Sequence, residues 1–437
     1  LIVSAQADTQ PKARLPRIHS LSNTTIMKKL LPLTAWTICA ATAIVFAGCA
    51  RSQNVEQARV TRAPEAGSTP IVRREEVPNG IETPLGLTIP KGFEINVFAE
   101  GLTNPRRIAI APGGTPQKYD VFVAESKANR ISILRDANGD GKAEGKFIFS
   151  DQLNQPYGIA FWNDWVYVGN TDAIVRLPYD AGQTATDQPP QEISKLTRGG
   201  YNQHWTRNLL FSRDGKKLYV TVGSSCNVCE ESDSQRAAIS VMNPDGSDRR
   251  LFAEGLRNPV GMAWDAQNNL WTVVNERDRL GNDVPPDYLT KVKDGAFYGW
   301  PYAYVTPERG VTPDPNFGNK NPQKVDATIP ATVPVQAHSA ALGVAFYPAK
   351  GSFPSEYSGD AFLAYHGSWN RDEPTGYKIV RVHFTKNKIE VTDFVSGFLK
   401  SDGKVWGRPV DVQVAPDGSL LFTDDKSGKI WRVSRTK

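Results

Sequence analysis

Three histidines and four arginines of this sequence stand where they could move a proton and hold an anion. His204 opens the string His204-Trp205-Thr206-Arg207, and His366 opens His366-Gly367-Ser368-Trp369-Asn370-Arg371. Arg257-Asn258-Pro259 and Trp406-Gly407-Arg408-Pro409 place further guanidinium groups beside an amide and a turn-forming residue. Imidazole titrates near neutral pH and can serve as a general base. Guanidinium presents a planar fork that matches a carboxylate through two parallel hydrogen bonds. Together the set suits a polycarboxylate, electron-poor ligand beside a proton acceptor. Taken singly, His204, His338 and His366 read equally well as packed polar residues, and His383, in the alternating Val380-Arg381-Val382-His383-Phe384, reads as an ordinary strand residue.

Oxygen and sulfur donors form smaller groups. The stretch Asn275 to Tyr288 carries Glu276, Asp278, Asp283 and Asp287, donors of the kind a hard cation takes. The alternative is that Asp278 and Asp287 cap turns or pair with Arg277 and Arg279. Asp136-Ala137-Asn138-Gly139-Asp140-Gly141 copies the opening of a calcium loop, but Phe147 stands where an EF-hand needs its bidentate Glu. A hairpin turn is the preferred reading there. Past residue 49 the cysteines are Cys226 and Cys229, in Cys226-Asn227-Val228-Cys229. Two thiols do not close a four-ligand zinc site unaided. The flanking Gly223-Ser224-Ser225 and Glu230-Glu231 are not a βαβ context, so a local disulfide is favoured over a redox motif.

Residues so widely separated need an architecture that gathers them. After residue 85 the chain repeats one theme six times: a turn with Pro or Gly, a short alternating strand, a turn, and a second strand rich in Val, Tyr and Phe. The first strands fall within Asn104 to Ile110, Gln155 to Phe161, Trp205 to Phe211, Arg257 to Trp264, Ala341 to Phe346 and Arg408 to Val414. Copies spaced in this way, without a sustained helical period, predict an all-β fold, a six-bladed β-propeller. Phe93 to Phe98 is then expected to complete the last blade and close the ring. The first strand of each blade lines the central channel, so distant side chains converge at one mouth. The interval Asn275 to Ala340, rich in Pro, Asp and Asn, is expected to carry functional loops.

The composition, 40% hydrophobic and 22% charged with 36 Gly and 31 Pro, is that of a globular, turn-rich chain. The formal charge is +5, and five basic residues against one acid precede Cys49. The remainder is near neutral and gives no support to a nucleic-acid partner. Residues 1–26 have no hydrophobic periodicity and are read as an over-extended upstream stretch. Met27, Lys28 and Lys29, an apolar run from Leu30 to Phe46, and Ala47-Gly48-Cys49 form a processing signal over 27–48. It resembles a bacterial lipobox, with Phe46 in place of the usual Leu. Acylation of Cys49 would tie the protein to a membrane of the cell envelope, facing the periplasm or at the outer membrane. The alternative, an uncleaved anchor, has a short apolar run broken by Pro32. Residues 49–85 read as a polar tether and 86–437 as the catalytic propeller.

From about Gly92 to Val433 the chain resembles the glucose/sorbosone dehydrogenase family that depends on pyrroloquinoline quinone (PQQ), especially its sorbosone and pyranose dehydrogenase-like branch. The strings that carry the resemblance run in family order. They are His204 with Arg207, Gly223 to Asn227, Gly255 to Pro259, Asn275 to Asp278, Tyr298 to Pro301, His366 to Arg371, and Gly407 to Asp411. The resemblance implies hydride transfer to PQQ from a sugar, a sugar-derived aldehyde or a related alcohol, with calcium as second cofactor and an external electron acceptor. It implies that His204 is the general base, that Arg257 and Asn258 contact the quinone carbonyls, and that Arg408 binds a PQQ carboxylate. His366 and Arg371 would add a basic contact where the glucose enzymes carry a lysine motif. Gln155 lies near a cofactor-contacting glutamine, and His338 is placed among the cofactor contacts. Calcium ligands, mostly main-chain carbonyls, are expected in the loop of Glu276, Asp278 and Asp287, which lacks the Gly-Pro pair of the glucose enzymes. Two other classes share the fold: a calcium-dependent lactonase-type hydrolase, and a non-catalytic envelope propeller that binds carbohydrate or protein.

Overall fold

The structure, a computed structural model, describes residues 69–198 and 204–436. The processing signal at 27–48, Cys49 and the tether up to residue 68 lie outside the described residues.

Six sheets follow one another along the chain, each with its own first strand nearest the ring axis. Blade 1 runs Pro105–Ile110, Tyr119–Glu125, Arg130–Asp136 and Gly145–Ser150. Blade 2 runs Gly158–Trp162, Trp165–Gly169, Ala173–Pro178 and Gln191–Lys195. Blade 3 is built on Leu209–Phe211, blade 4 on Pro259–Trp264, blade 5 on Ala341–Phe346 and blade 6 on Pro409–Val414. All six repeats therefore become blades. Blade 6 takes its outer strand from the other end of the chain, where Phe93–Ala99 pairs antiparallel with Lys429–Arg435. That is the ring closure expected of Phe93 to Phe98. Ile71–Arg74 adds a parallel strand to the edge of blade 5.

The second strands explain why the repeats are so rich in Val, Phe and Leu. Tyr119–Glu125, Leu270–Val274, Ala361–Tyr365 and Leu420–Asp424 are buried at every residue, because each has a neighbouring blade on both faces. The core is accordingly divided into one cluster per blade interface, with a further small cluster of Tyr157, Val260, Leu342 and Val410 drawn from four blades. Phe122 and Ile131 of blade 1 meet Ile159 and Val166 of blade 2. Phe362 and Phe394 of blade 5 meet Phe422 and Trp431 of blade 6. Phe98 and Leu421 of blade 6 meet Ile108 and Val121 of blade 1. No blade buries its faces alone, so the ring holds only when closed.

At the axis the six inner strands approach until backbone meets backbone. The aligned position carries Gly158, Gly261 and Gly343 in three blades and Arg107, Asn208 and Asp411 in the others. A Cβ on Gly158 would lie 2.4 Å from Arg207 O, and one on Gly261 would lie 2.7 Å from Leu342 O. Where the position is not glycine, polar side chains bridge blades. Arg107 pairs with Asp411 at 2.6 Å, and Asn208 Nδ2 donates to Val260 O at 2.9 Å. Gly158→Ala should cost about 1–3 kcal/mol by overpacking. A denaturation midpoint equal to that of the wild type would show that the two strands can part at no cost.

The interval Asn275 to Ala340 is only partly loop. It supplies Tyr288–Lys291 and Val333–Pro334 to blade 4, returns Ala296–Phe297 to the edge of blade 3, and adds the hairpin Ala303–Thr306 with Gly310–Pro313.

Candidate active site

The loops entering the inner strands enclose a cavity of about 460 Å³ at one mouth of the ring. Of the residues singled out by sequence, His204, Arg257, Asn258, Glu276, Asp278, Asp287, His338, His366 and Arg408 all line it. Gln155 and Arg371 are not part of its lining. Gln155 occupies the repeat position that carries Asn258 and Arg408, but its backbone is left-handed at φ 48° and its N–H donates to Asn129 Oδ1. Arg371 instead joins two loops, through Asp283 Oδ1 at 2.9 Å and Asn282 O.

One wall holds His204. Its Nδ1 lies 3.0 Å from Ser224 Oγ and 3.2 Å from Ser224 O. Ser224 Oγ itself donates to Cys226 O at 2.7 Å, so its lone pairs face the imidazole. Nδ1 is therefore the protonated nitrogen and the basic lone pair sits on Nε2. Burial, reinforced by the Arg257 charge, holds the His204 pKa well below the ordinary imidazole value. The ring is neutral at physiological pH.

Arg257 is fixed by acceptors on three sides. Nε donates to Asn227 O at 3.0 Å, Nη1 to Glu276 O at 2.6 Å, and Nη2 to Asn227 Oδ1 at 3.0 Å and Asp278 Oδ2 at 3.2 Å. Asn227 sits between Cys226 and Cys229, which form a disulfide. Beside Arg257, Asn258 gives its Nδ2 to Asn275 Oδ1 at 3.1 Å. Its Oδ1 is buried without a partner, as are Thr206 Oγ1 and Asn370 Oδ1 elsewhere in the lining. A buried polar atom left unpaired costs about 1–3 kcal/mol, so three of them around one cavity mark a surface made to meet a polar ligand.

In the acidic wall the carboxylates are engaged by the protein itself. Asp287 accepts from the N–H groups of Glu276 at 2.9 Å and Ala340 at 2.8 Å. Asp278 takes Asn370 Nδ2 at 2.8 Å and pairs with Arg257, while Arg277 pairs with Asp314. Burial pushes the carboxyls of Glu276 up to about 7 and Asp287 up to about 6. Among the described residues, the metal-ligating side chains whose donor atoms cluster within 4.8 Å are Asp136, Asp140 and Glu144, and Cys226, Cys229 and Glu231. Glu276, Asp278 and Asp287 are not such a set. Asp136 closes the turn foreseen for its segment, accepting from Gly139 N at 2.7 Å and Gly141 N at 3.0 Å.

The opposite wall is cationic and is ordered by one carboxylate. Asp425, almost fully buried, accepts from Arg106 Nη1 at 2.5 Å and Arg408 Nε at 3.0 Å, and lies 3.1 Å from His366 Nε2. Burial alone would raise its pKa, but His366, Arg106 and Arg408 hold it far below the usual carboxylate range. Burial holds His366 below its ordinary value too. Two guanidinium groups against one carboxylate leave this side with excess positive charge. Arg106 and Asp425 were not among the residues singled out. Arg106 stands in a repeat column otherwise filled by Tyr157, Val260, Leu342, Val410 and Arg207, and a charge in that mostly apolar column was the signal available. Asp425, one residue past the strand Leu420–Asp424, had none.

The ring and its mouth define a propeller protein whose central cavity gathers three arginines, three carboxyls, buried unpaired polar atoms and a neutral imidazole. More particularly, the chain belongs to the TrAA12-like family, to which residues 87–436 match. It is 28% identical over 361 residues to an uncharacterized protein of Borreliella burgdorferi, covering 79% of this chain and 90% of that one. To the PQQ-dependent pyranose dehydrogenase of Coprinopsis cinerea it is 24% identical over 413 residues, covering 80% of this chain. It spans only 54% of that relative's length. The holo form of the Coprinopsis cinerea pyranose dehydrogenase PQQ domain superposes with a TM-score of 0.66 at 20% identity, covering 84% of this chain and all of that one. The calcium structure of a Trichoderma reesei family AA12 protein gives 0.66 at 19% identity, covering 80% and 97%. The PQQ-bound aldose sugar dehydrogenase of Streptomyces coelicolor gives 0.52 at 19%, covering 79% and 99%. These structures share the propeller fold.

Proposed function

We propose that this protein is a sugar dehydrogenase that uses PQQ and calcium, oxidising a pyranose or a related sugar alcohol or aldehyde. The observation that carries the reading is the gathering, around one cavity, of a neutral His204 and the guanidinium groups of Arg106 and Arg408. PQQ is an anionic quinone carrying three carboxylates, and the donors present fit it. Arg106 and Arg408 would hold carboxylate, while Arg257 and Asn258 line the side toward His204. When bound, PQQ accepts the hydride that leaves the substrate carbon.

This chain's own residues do the rest. His204 takes the substrate hydroxyl proton at Nε2, with Ser224 holding Nδ1–H and so the ring orientation. Arg257 adds positive charge beside the place where negative charge develops. Trp369, 67% exposed in the cavity lining, offers a flat apolar face for one side of a sugar ring. Calcium would be held from the loop that carries Glu276, Asp278 and Asp287, mostly through its main-chain carbonyls. Electrons pass on to an external acceptor, and a lipid on Cys49 would keep the enzyme at the cell envelope.

Purified protein incubated with PQQ and calcium should acquire a quinone spectrum and reduce a dye in the presence of a sugar. Lactone hydrolysis without an acceptor, or no uptake of quinone, would overturn the reading in favour of a hydrolase or a binding propeller. Arg408→Ala should weaken PQQ roughly tenfold to a hundredfold in a titration, the loss of a charge-assisted contact, with kcat at saturating PQQ little changed. Unaltered affinity would place the cofactor carboxylates elsewhere.

A further inference from the structure

His204 and Arg257 approach the cavity ahead of blades 3 and 4, yet one four-residue loop holds both. Cys226 and Cys229 close that loop with a disulfide. Inside it, Asn227 reaches in three directions. Its carbonyl accepts from Arg257 Nε at 3.0 Å and Trp300 Nε1 at 3.1 Å. Its Oδ1 accepts from Arg257 Nη2 at 3.0 Å and from the Asp278 N–H at 2.8 Å, while its Nδ2 donates to Asp278 O at 3.2 Å. The adjoining Cys226 carbonyl takes the Ser224 hydroxyl that orients His204. An unbraced loop would let these acceptors wander, and misplacing a catalytic group by about 1 Å can cost a hundredfold in rate.

We propose that Asn227, braced by the Cys226–Cys229 disulfide, is a positioning residue: it aims Arg257 and Asp278 into the cavity, and its neighbour Cys226, through Ser224, sets the tautomer of His204. For its activity readout this rests on the dehydrogenase reading above; for its structural readout it does not. A residue that merely fills the loop would alter melting temperature alone.

Asn227→Ala should lower kcat and weaken PQQ binding, each roughly tenfold to a hundredfold, with the sugar KM little changed. Asn227→Asp keeps both Oδ1 acceptor bonds and should recover most of the loss. In quinone-free protein, histidine ¹⁵N spectra should show His204 as one neutral tautomer protonated on Nδ1. The Cys226→Ser, Cys229→Ser double variant should show a mixture of tautomers. Should Asn227→Ala not fold, the double variant carries both readouts. Wild-type kcat and affinity in Asn227→Ala, or a single unchanged tautomer in the double variant, would overturn the clamp. A wild-type protein that takes up no quinone removes the dehydrogenase reading instead, and the tautomer spectra then decide the clamp by themselves.

Discussion

Replacing His204 by alanine is expected to lower kcat by about two to four orders of magnitude while PQQ affinity stays within a few-fold of wild type. The two effects separate because the groups do. His204 lies against Ser224, whereas Arg106 and Arg408, the proposed grip on the cofactor carboxylates, are gathered by Asp425. Burial first, and then the Arg257 charge, keep His204 deprotonated well below the ordinary imidazole range. The active, neutral form therefore persists as pH falls, and the His204 ¹⁵N shifts should stay those of a neutral ring through about pH 6.5, where an ordinary histidine would titrate. The sign for stability is the reverse of benefit. Below about pH 6.5 the unfolded chain takes up a proton that the folded ring refuses, so acidification from neutral pH destabilises the native state through this residue. Equal turnover in His204→Ala would remove the base assignment, and a His204 ¹⁵N titration centred near pH 6.5 would mean an imidazole more solvated than its burial allows.

The ring was legible in the sequence because its signal is repeated. Six strands of one pattern, each starting after a turn residue, must bury their faces against one another, and Phe93 to Phe98 was the unpaired piece left to close the last blade. Site residues were legible where they share that register: Asn258 and Arg408 both stand just before a proline that opens an inner strand. The same register misplaces Gln155, which also precedes such a proline. The structure leaves Gln155 outside the cavity lining, its N–H held by Asn129 Oδ1, and no residue type there announces it. The acidic loop shows a second limit. Composition found Glu276, Asp278 and Asp287, but Asp287 is engaged by the Ala340 N–H and Asp278 by the Asn370 amide, partners far away in sequence, while Glu276 takes the N–H of its own neighbour Arg277. Asp425 marks the third. Its importance comes entirely from what meets it, since Arg106 arrives from blade 1, His366 from blade 5 and Arg408 from the start of blade 6.

Asp425→Ala is expected to cost about 3–5 kcal/mol of stability at neutral pH, the loss typical of removing one member of a buried ionic group. The reason is Arg106 more than Arg408. The Arg408 side chain is 37% exposed, so water can take over part of its solvation, whereas Arg106 is 9% exposed and its Nε is already without a partner. The two cations would then face each other across a site with no counter-charge, in a medium where water screens them poorly. Asp425→Asn keeps an acceptor oxygen without the charge and should fall between the two. The pH dependence follows from the depressed carboxyl. Asp425 stays ionised in the folded protein far below the ordinary carboxylate range, so its contribution is complete above about pH 4 and drains away as pH falls further. The gap between wild type and Asp425→Ala should accordingly be widest near neutrality and narrow toward pH 2. PQQ can stand in for the lost carboxylate, and by mass action a ligand at a hundred times its Kd adds about 2.7 kcal/mol. Saturating PQQ should thus return much of the variant's loss, more than it adds to the wild type. A variant that melts with the wild type at pH 7, or that gains nothing extra from PQQ, would show that Arg106 and Arg408 do not depend on this carboxylate and do not form the cofactor's anionic seat.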